Sequence, residues 1–162
     1  MSIIGYYTGV GSRKTPDVIL DIMTRLAVKL NNHGYTLRSG GAVGADRAFE
    51  EGARKNKQIF LANMATPEAM EIAKEVHPAW NNCNEYARKL HGRNSFQVLG
   101  RSLKEPSNFL VCWTPDGCVN HDGRNRQTGG TGTAISIADK YSIPIFNLAR
   151  EDHLNRVLAY LN

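Results

Sequence analysis

Cysteine is scarce here: Cys83, Cys112 and Cys118 are the whole supply. An odd number leaves one unpaired in any disulfide scheme, so a disulfide-stapled scaffold is not the source of stability. Cys118 with His121 offers two metal ligands where structural zinc takes four, and no metal is expected. No apolar run approaches the roughly 20 residues that span a bilayer, so no membrane partner is expected. Met1-Ser2-Ile3-Ile4-Gly5 runs straight into a strand-like segment, with neither a basic segment nor an apolar signal core. A secretory leader is therefore not expected, and the cytoplasm is the expected compartment. Also missing are a G-x-x-x-x-G-K-[ST] loop, a His-Glu-x-x-His pair and a serine elbow, which argues against P-loop ATPases, zincins and α/β-hydrolases. Repeats, low-complexity tracts and linkers are absent too, and a length of 162 residues suits one domain, residues 1–162.

What the chain does have is an ordinary globular balance, 41% hydrophobic and 22% charged residues, with a net charge of +5. That excess favours an anionic ligand, small or polymeric, without choosing between them. The 15 glycines include three clusters, each where a strand gives way to a helix. They are Thr8-Gly9-Val10-Gly11-Ser12-Arg13, Ser39-Gly40-Gly41-Ala42-Val43-Gly44-Ala45-Asp46, and Thr128-Gly129-Gly130-Thr131-Gly132-Thr133. Glycine permits positive φ and close approach to the main chain. A turn feeding a helix N-terminus also presents free N–H groups to an anion. Three such turns argue for a phosphate-bearing ligand at the carboxyl edge of a parallel sheet.

The periodicity fits that architecture. Ile3 to Thr8 reads as a strand, and Thr15-Pro16-Asp17 as a capped helix start. Ile19, Ile22, Met23, Leu26 and Leu30 keep helical spacing until Gly34. Tyr35 to Arg38, Ala45 to Lys55 and Gln58 to Ala62 then give strand, helix and strand. A helix from Thr66 to about His77 follows, then one carrying Cys83, Tyr86, Ala87 and Leu90 that stops near Gly92. A further short helix covers Arg93 to Gly100. Asn108 to Trp113 is a buried strand, 115–129 a long loop, and Thr131 to Tyr141 a helix. Pro144 to Asn147 and the Leu154, Val157, Leu158, Leu161 stripe close the chain. The expected fold is α/β: a Rossmann-like three-layer domain with a mainly parallel sheet, helices on both faces, and a helical insertion around 63–105.

Each candidate site residue has two readings. Gly9, Gly11, Ser12 and Arg13 either wrap a phosphate or make a tight turn with a solvated arginine. Ser39, Gly40, Gly41 and Gly44 form a second cradle or simply a turn; Asp46 either accepts ribose hydroxyls or favours its helix start. Gly129, Gly130, Thr131, Gly132 and Thr133 are the richest donor cluster. Arg93, Asn94 and Gln97 either reach over the sheet edge or form a wet face. Asp116 sits where open sheets carry functional groups, or in a plain Pro-Asp-Gly turn. Residues 120–127, with Arg124 and Arg126, form a lid or a solvated loop. His77 and His91 read as surface residues at helix ends. Asp46 and Asp116 are the candidate catalytic acids, though no spacing ties them together.

The three motifs, with Tyr86-Ala87-Arg88-Lys89-Leu90-His91-Gly92-Arg93-Asn94-Ser95-Phe96-Gln97 and Val111-Cys112-Trp113-Thr114-Pro115-Asp116-Gly117, resemble the SLOG superfamily. That superfamily includes DprA (Smf), the LOG proteins, and small phage and bacterial DprA-related proteins of unassigned activity, which the chain resembles most over residues 3–148. The resemblance implies a nucleotide-type ligand over the glycine turns, with no cofactor, and favours Arg93 and Asn94 as contacts. It implies two alternatives: LOG-like phosphoribohydrolase (nucleotide N-glycosidase) chemistry, and DprA-like single-stranded DNA binding. A homo-oligomer is also compatible with it. Where LOG proteins carry two glutamates after Gly-Gly-x-Gly-Thr, this chain has Ile135 and Ser136, which puts the LOG reaction in doubt.

Overall fold

A computed structural model describes residues 3–162; Met1 and Ser2, part of the segment weighed as a leader, lie outside it. Five strands form one parallel sheet: β1 (Gly5–Gly9), β2 (Tyr35–Ser39), β3 (Lys57–Ile59), β4 (Phe109–Cys112) and β5 (Ile145–Asn147). Their order is β3-β2-β1-β4-β5, with Tyr7 opposite Leu37 on one side and Phe109 on the other. The strand order reverses direction at β1, between β2 and β4, which is where open α/β sheets leave a crevice above their carboxyl ends.

Side chains alternate along the strands and so divide the core in two. Tyr7, Leu37 and Val111 face α1 (Asp17–Asn32), α2 (Ala45–Ala53) and α6 (Glu151–Leu161). Leu110 and Cys112 face the opposite way, onto α4 (Glu85–Leu99) and α5 (Thr131–Lys140), with Val76 of α3 (Pro67–Val76) behind them. The expected three-layer arrangement is therefore present, and α3 and α4 make up the helical insertion between β3 and β4. Cys112 is a core residue with no exposure.

Local chemistry explains most boundaries. Thr66 accepts the Ala69 amide at 3.3 Å ahead of Pro67, the capping expected for α3. Thr15 does otherwise: its hydroxyl turns back to the Ser12 carbonyl at 2.6 Å, and Pro16 occupies the cap position of α1. Gly92 does not stop a helix, as its sequence position suggested. The chain runs on as a single α4, because Gly92 is where α3 crosses; a Cβ there would lie 2.6 Å from Met70 Cγ.

Gly52 plays the same part between α2 and α1. A Cβ at Gly52 would collide with the Thr24 carbonyl oxygen and lie 2.6 Å from the Ala27 Cβ. Gly52→Ala is expected to destabilise the protein by about 2–3 kcal/mol, because backbone cannot move aside as a side-chain tip can. Chemical denaturation would show this as a lower midpoint with an unchanged slope.

Candidate functional site

The three glycine turns meet over the carboxyl ends of β1, β2 and β4. Between them and the start of α4 opens a cleft of about 740 Å³, within the range of small-molecule sites. Gly11, Ser12 and Arg13 form one wall, and Gly129, Gly130 and Thr131 another. Asp46, Arg93 and Asn94 line the floor and the remaining side.

The other predicted residues stand behind the lining and shape it. Gly9 is a packing glycine, since a Cβ would lie 2.7 Å from Phe49 and 2.8 Å from Leu37. Ser39 is buried and donates to the Gly9 carbonyl at 2.6 Å, tying the first two turns together. Gly41 and Gly44 have φ of 71° and 89°, and Gly44 packs on the backbone of Ser12 and Arg13. Gly40 lies against the side chains of Arg93 and Gln97, and Gly132 against Arg124. Thr133 is buried, with its hydroxyl held by Arg124 at 2.9 Å and by His91 at 2.8 Å.

Asp116 lies outside the cleft lining and is not brought together with Asp46. Its carboxylate receives the Thr128 hydroxyl at 2.6 Å and the Cys118 amide at 3.4 Å, which pins both ends of the 115–129 loop. Burial works against its charge, but the hydrogen bonds from Thr128 and Thr114 prevail and hold its pKa below the usual carboxylate value. Arg124 reaches back from the same loop to the Val76 carbonyl at 3.2 Å, so the segment is strapped down at two places. Arg126, in contrast, is exposed and lines the cleft.

Glycine at position 130 has no internal explanation. Its φ is −63°, open to any residue, and a Cβ there would meet nothing within 4 Å. It caps α5, whose first N–H groups have no partner within the helix. Glycine is an accepted cap residue, and its bare backbone also leaves room for close approach by another molecule.

The floor adds two buried polar atoms without partners, Gln97 Oε1 and Arg93 Nε. Such atoms are costly unless something supplies the missing bond. The other end of the Arg93 guanidinium donates to the Gly40 carbonyl at 2.8 Å, fixing the group in place. Asp46 is 4% exposed, and burial raises its pKa to about 6 against the opposing pull of Arg93 and the Ala42 and Gly40 amides. Arg13, Lys14, Arg93 and Arg126 against a single carboxylate make the cleft electropositive.

His91, Gln97, Lys14 and Arg126 also line the cleft; Gln97 and, as part of a lid, Arg126 stood out in the sequence, whereas His91 and Lys14 did not. His77 and His91 are not solvated helix ends. Their rings pack 4.3 Å apart between centroids, and burial with the neighbouring His77, Arg124 and Arg93 lowers the His91 pKa to about 4. Helix spacing could not reveal this, because Thr133, the partner of His91, lies in another helix. Cys118 and His121 do not converge: the thiol donates to the Asn120 carbonyl, and the His121 ring bonds Ser136.

Fold and cleft together define a Rossmann-like three-layer α/β protein. No family model matches the chain, and neither does any curated protein. Among solved structures it is similar to DNA processing protein A from Helicobacter pylori, described for its unique single-stranded DNA binding mode. The identity is 17% and the TM-score 0.58, over 96% of this chain and 72% of that one. At that identity the likeness establishes a common fold. Among the described residues, no helix is long and apolar enough to cross a membrane.

Proposed function

We propose that this chain, a SLOG-type protein of the cytoplasm, binds a nucleotide or a phosphorylated nucleotide derivative in the cleft. Phosphate lies against Gly11, Ser12 and Arg13 and the start of α5 at Gly129, Gly130 and Thr131. The nucleoside lies toward Asp46, Arg93, Asn94 and Gln97. Gly9, Ser39, Gly40, Gly41, Gly44, Gly132 and Thr133 hold the turns from behind. The observation that carries the reading is Gly130, a helix-capping glycine that neither conformation nor packing requires.

A second reading rests on Asp46. A buried carboxyl with a pKa near 6, lining an electropositive cleft, is suited to general acid or base work. It would serve N-glycosidic cleavage of the bound nucleotide better than Asp116, whose carboxylate is committed to the loop. A third reading, single-stranded DNA binding, is favoured by the likeness to DNA processing protein A, which has a single-stranded DNA binding mode.

A melting-temperature screen at low and high salt separates the three. Mono-, di- and triphosphates, NAD, ADP-ribose, cyclic nucleotides and oligo-dT form the panel. A ligand at 100 times its Kd stabilises the fold by about 2.7 kcal/mol. The expected result is a salt-tolerant shift with one small nucleotide; release of free base in the same tube would add the hydrolytic step. A shift confined to oligo-dT, growing with strand length and lost at high salt, would overturn the nucleotide reading.

A further inference from the structure

Beside the cleft, where α3 gives way to α4, three side chains converge from the turn after α3 and the middle of α4. His77, Cys83 and His91 each place a ligating atom within 4.8 Å of the other two, and all three are half-buried. His77 Nε2 lies 3.8 Å from Cys83 Sγ. Donor atoms around a tetrahedral zinc sit about 3.3–3.6 Å apart, so a contraction of at most about 1.5 Å brings the set into register. We propose that His77, Cys83 and His91 form a binding site for a zinc-class divalent metal ion, with water or a ligand oxygen completing the tetrahedron. Imidazole nitrogen and thiolate sulfur are ligand types zinc takes, and three protein ligands leave the open fourth position.

The surroundings support each ligand in turn. Thr133 Oγ1 lies 2.8 Å from His91 Nδ1 and already accepts from Arg124. It can accept a hydrogen bond from Nδ1–H as well, which keeps the proton on Nδ1 and leaves Nε2 free for the ion in the manner of an outer-shell partner. Trp80 stands over both rings, at 6.1 Å from His77 and 6.5 Å from His91, and shields one side. Cys83 is tied by its amide to the Trp80 carbonyl at 3.0 Å, so the thiol is carried on a fixed turn.

Two features oppose the ion, and both have an answer. His77 Nδ1 accepts the Ala79 amide at 3.0 Å, which leaves the proton on Nε2. Coordination through Nε2 moves that proton to Nδ1 and returns the Ala79 amide, at an exposed position, to water. Arg124 adds positive charge beside the rings. Cys83 offsets it by releasing its thiol proton to solvent as the sulfur–metal bond forms. The site borders the cleft through His91, while His77 and Cys83 lie outside the cleft lining, so metal binding can be read without a nucleotide.

Cobalt titration of chelator-stripped, reduced protein tests the proposal. The expected result is one ion per chain, with a thiolate-to-cobalt charge-transfer band and the intense visible absorption of a four-coordinate ion, both abolished by competing zinc. Cys83→Ser should remove the charge-transfer band, and His77→Gln should weaken cobalt binding by 10-fold or more. Cys118→Ser, at a thiol outside the cluster, should leave the spectrum as it is. Circular dichroism checks that the variants fold. Absence of the band at millimolar cobalt, its survival in Cys83→Ser, or unchanged affinity in His77→Gln would each overturn the proposal.

Discussion

Gly130→Val is expected to reduce affinity for the proposed nucleotide ligand by about 100-fold while moving the melting temperature by no more than about 2 °C. The two halves of that result come from different physics. A side chain at position 130 meets no protein atom within 4 Å, and the local φ of −63° suits valine. The fold should therefore register less than about 0.5 kcal/mol, the usual range for a surface substitution. A ligand phosphate seated on the start of α5 would collide with the new methyl groups and lose hydrogen bonds to the first amides. A hydrogen bond to a charged group is worth about 1.5–3 kcal/mol, so loss of one or two accounts for the affinity change. Calorimetric titration of the ligand found in the screen is the measurement. Unchanged affinity in a folded Gly130→Val protein would remove the main support for the phosphate position. Gly52→Ala is the counterpart, lowering stability without touching the cleft.

The second large effect is a pH-dependent one at Asp46. Burial raises its pKa in the folded protein to about 6, whereas in the unfolded chain it has the ordinary aspartate value of 3.8. Between those values the folded state holds the proton and the unfolded state has released it, so the Asp46 contribution falls as pH rises. It is fully favourable below pH 4, declines through pH 4–6 and is lost above pH 6. The span corresponds to roughly 3 kcal/mol. Other carboxylates titrate in the same window, and Asp116 acts in the opposite sense. The clean observable is thus the difference between Asp46→Asn and the parent protein. Asparagine keeps an acceptor for the Ala42 amide, and its effect on Arg93 is the same across this range. The stability of Asp46→Asn relative to the parent should rise by up to about 3 kcal/mol from pH 4 to pH 7, followed by urea unfolding. A flat difference would mean that Asp46 titrates as an ordinary surface acid.

Much of the architecture was legible because it follows local rules. Alternation along the strands, the Thr66-Pro67 cap and the helical stripe from Ile19 to Leu30 each involve residues within a turn or two of one another. The glycine turns were legible as a set, and their meeting over β1 follows from the parallel winding. Sorting the glycines was not possible from the sequence. Gly9 serves Phe49 and Leu37, Gly92 serves Met70, and Gly130 serves nothing within the protein. Those assignments depend on which element crosses above, and a glycine in a string looks the same in all three cases. The histidine–cysteine cluster was hidden for a related reason. His77 and Cys83 lie near each other along the chain, but His91 joins them only because α4, unbroken through Gly92, packs back against α3.

That continuity has a mechanical side. From Ser95 to Leu99, α4 is buried against the sheet and its neighbours, with only Gln97 reaching the cleft floor, while Leu90, His91, Arg93 and Asn94 on the same rod face the cleft. A rod clamped at one end cannot swing as a gate. The 115–129 loop on the rim is held instead by side-chain hydrogen bonds, and the Asp116–Thr128 contact that joins its ends is a latch of a single hydrogen bond.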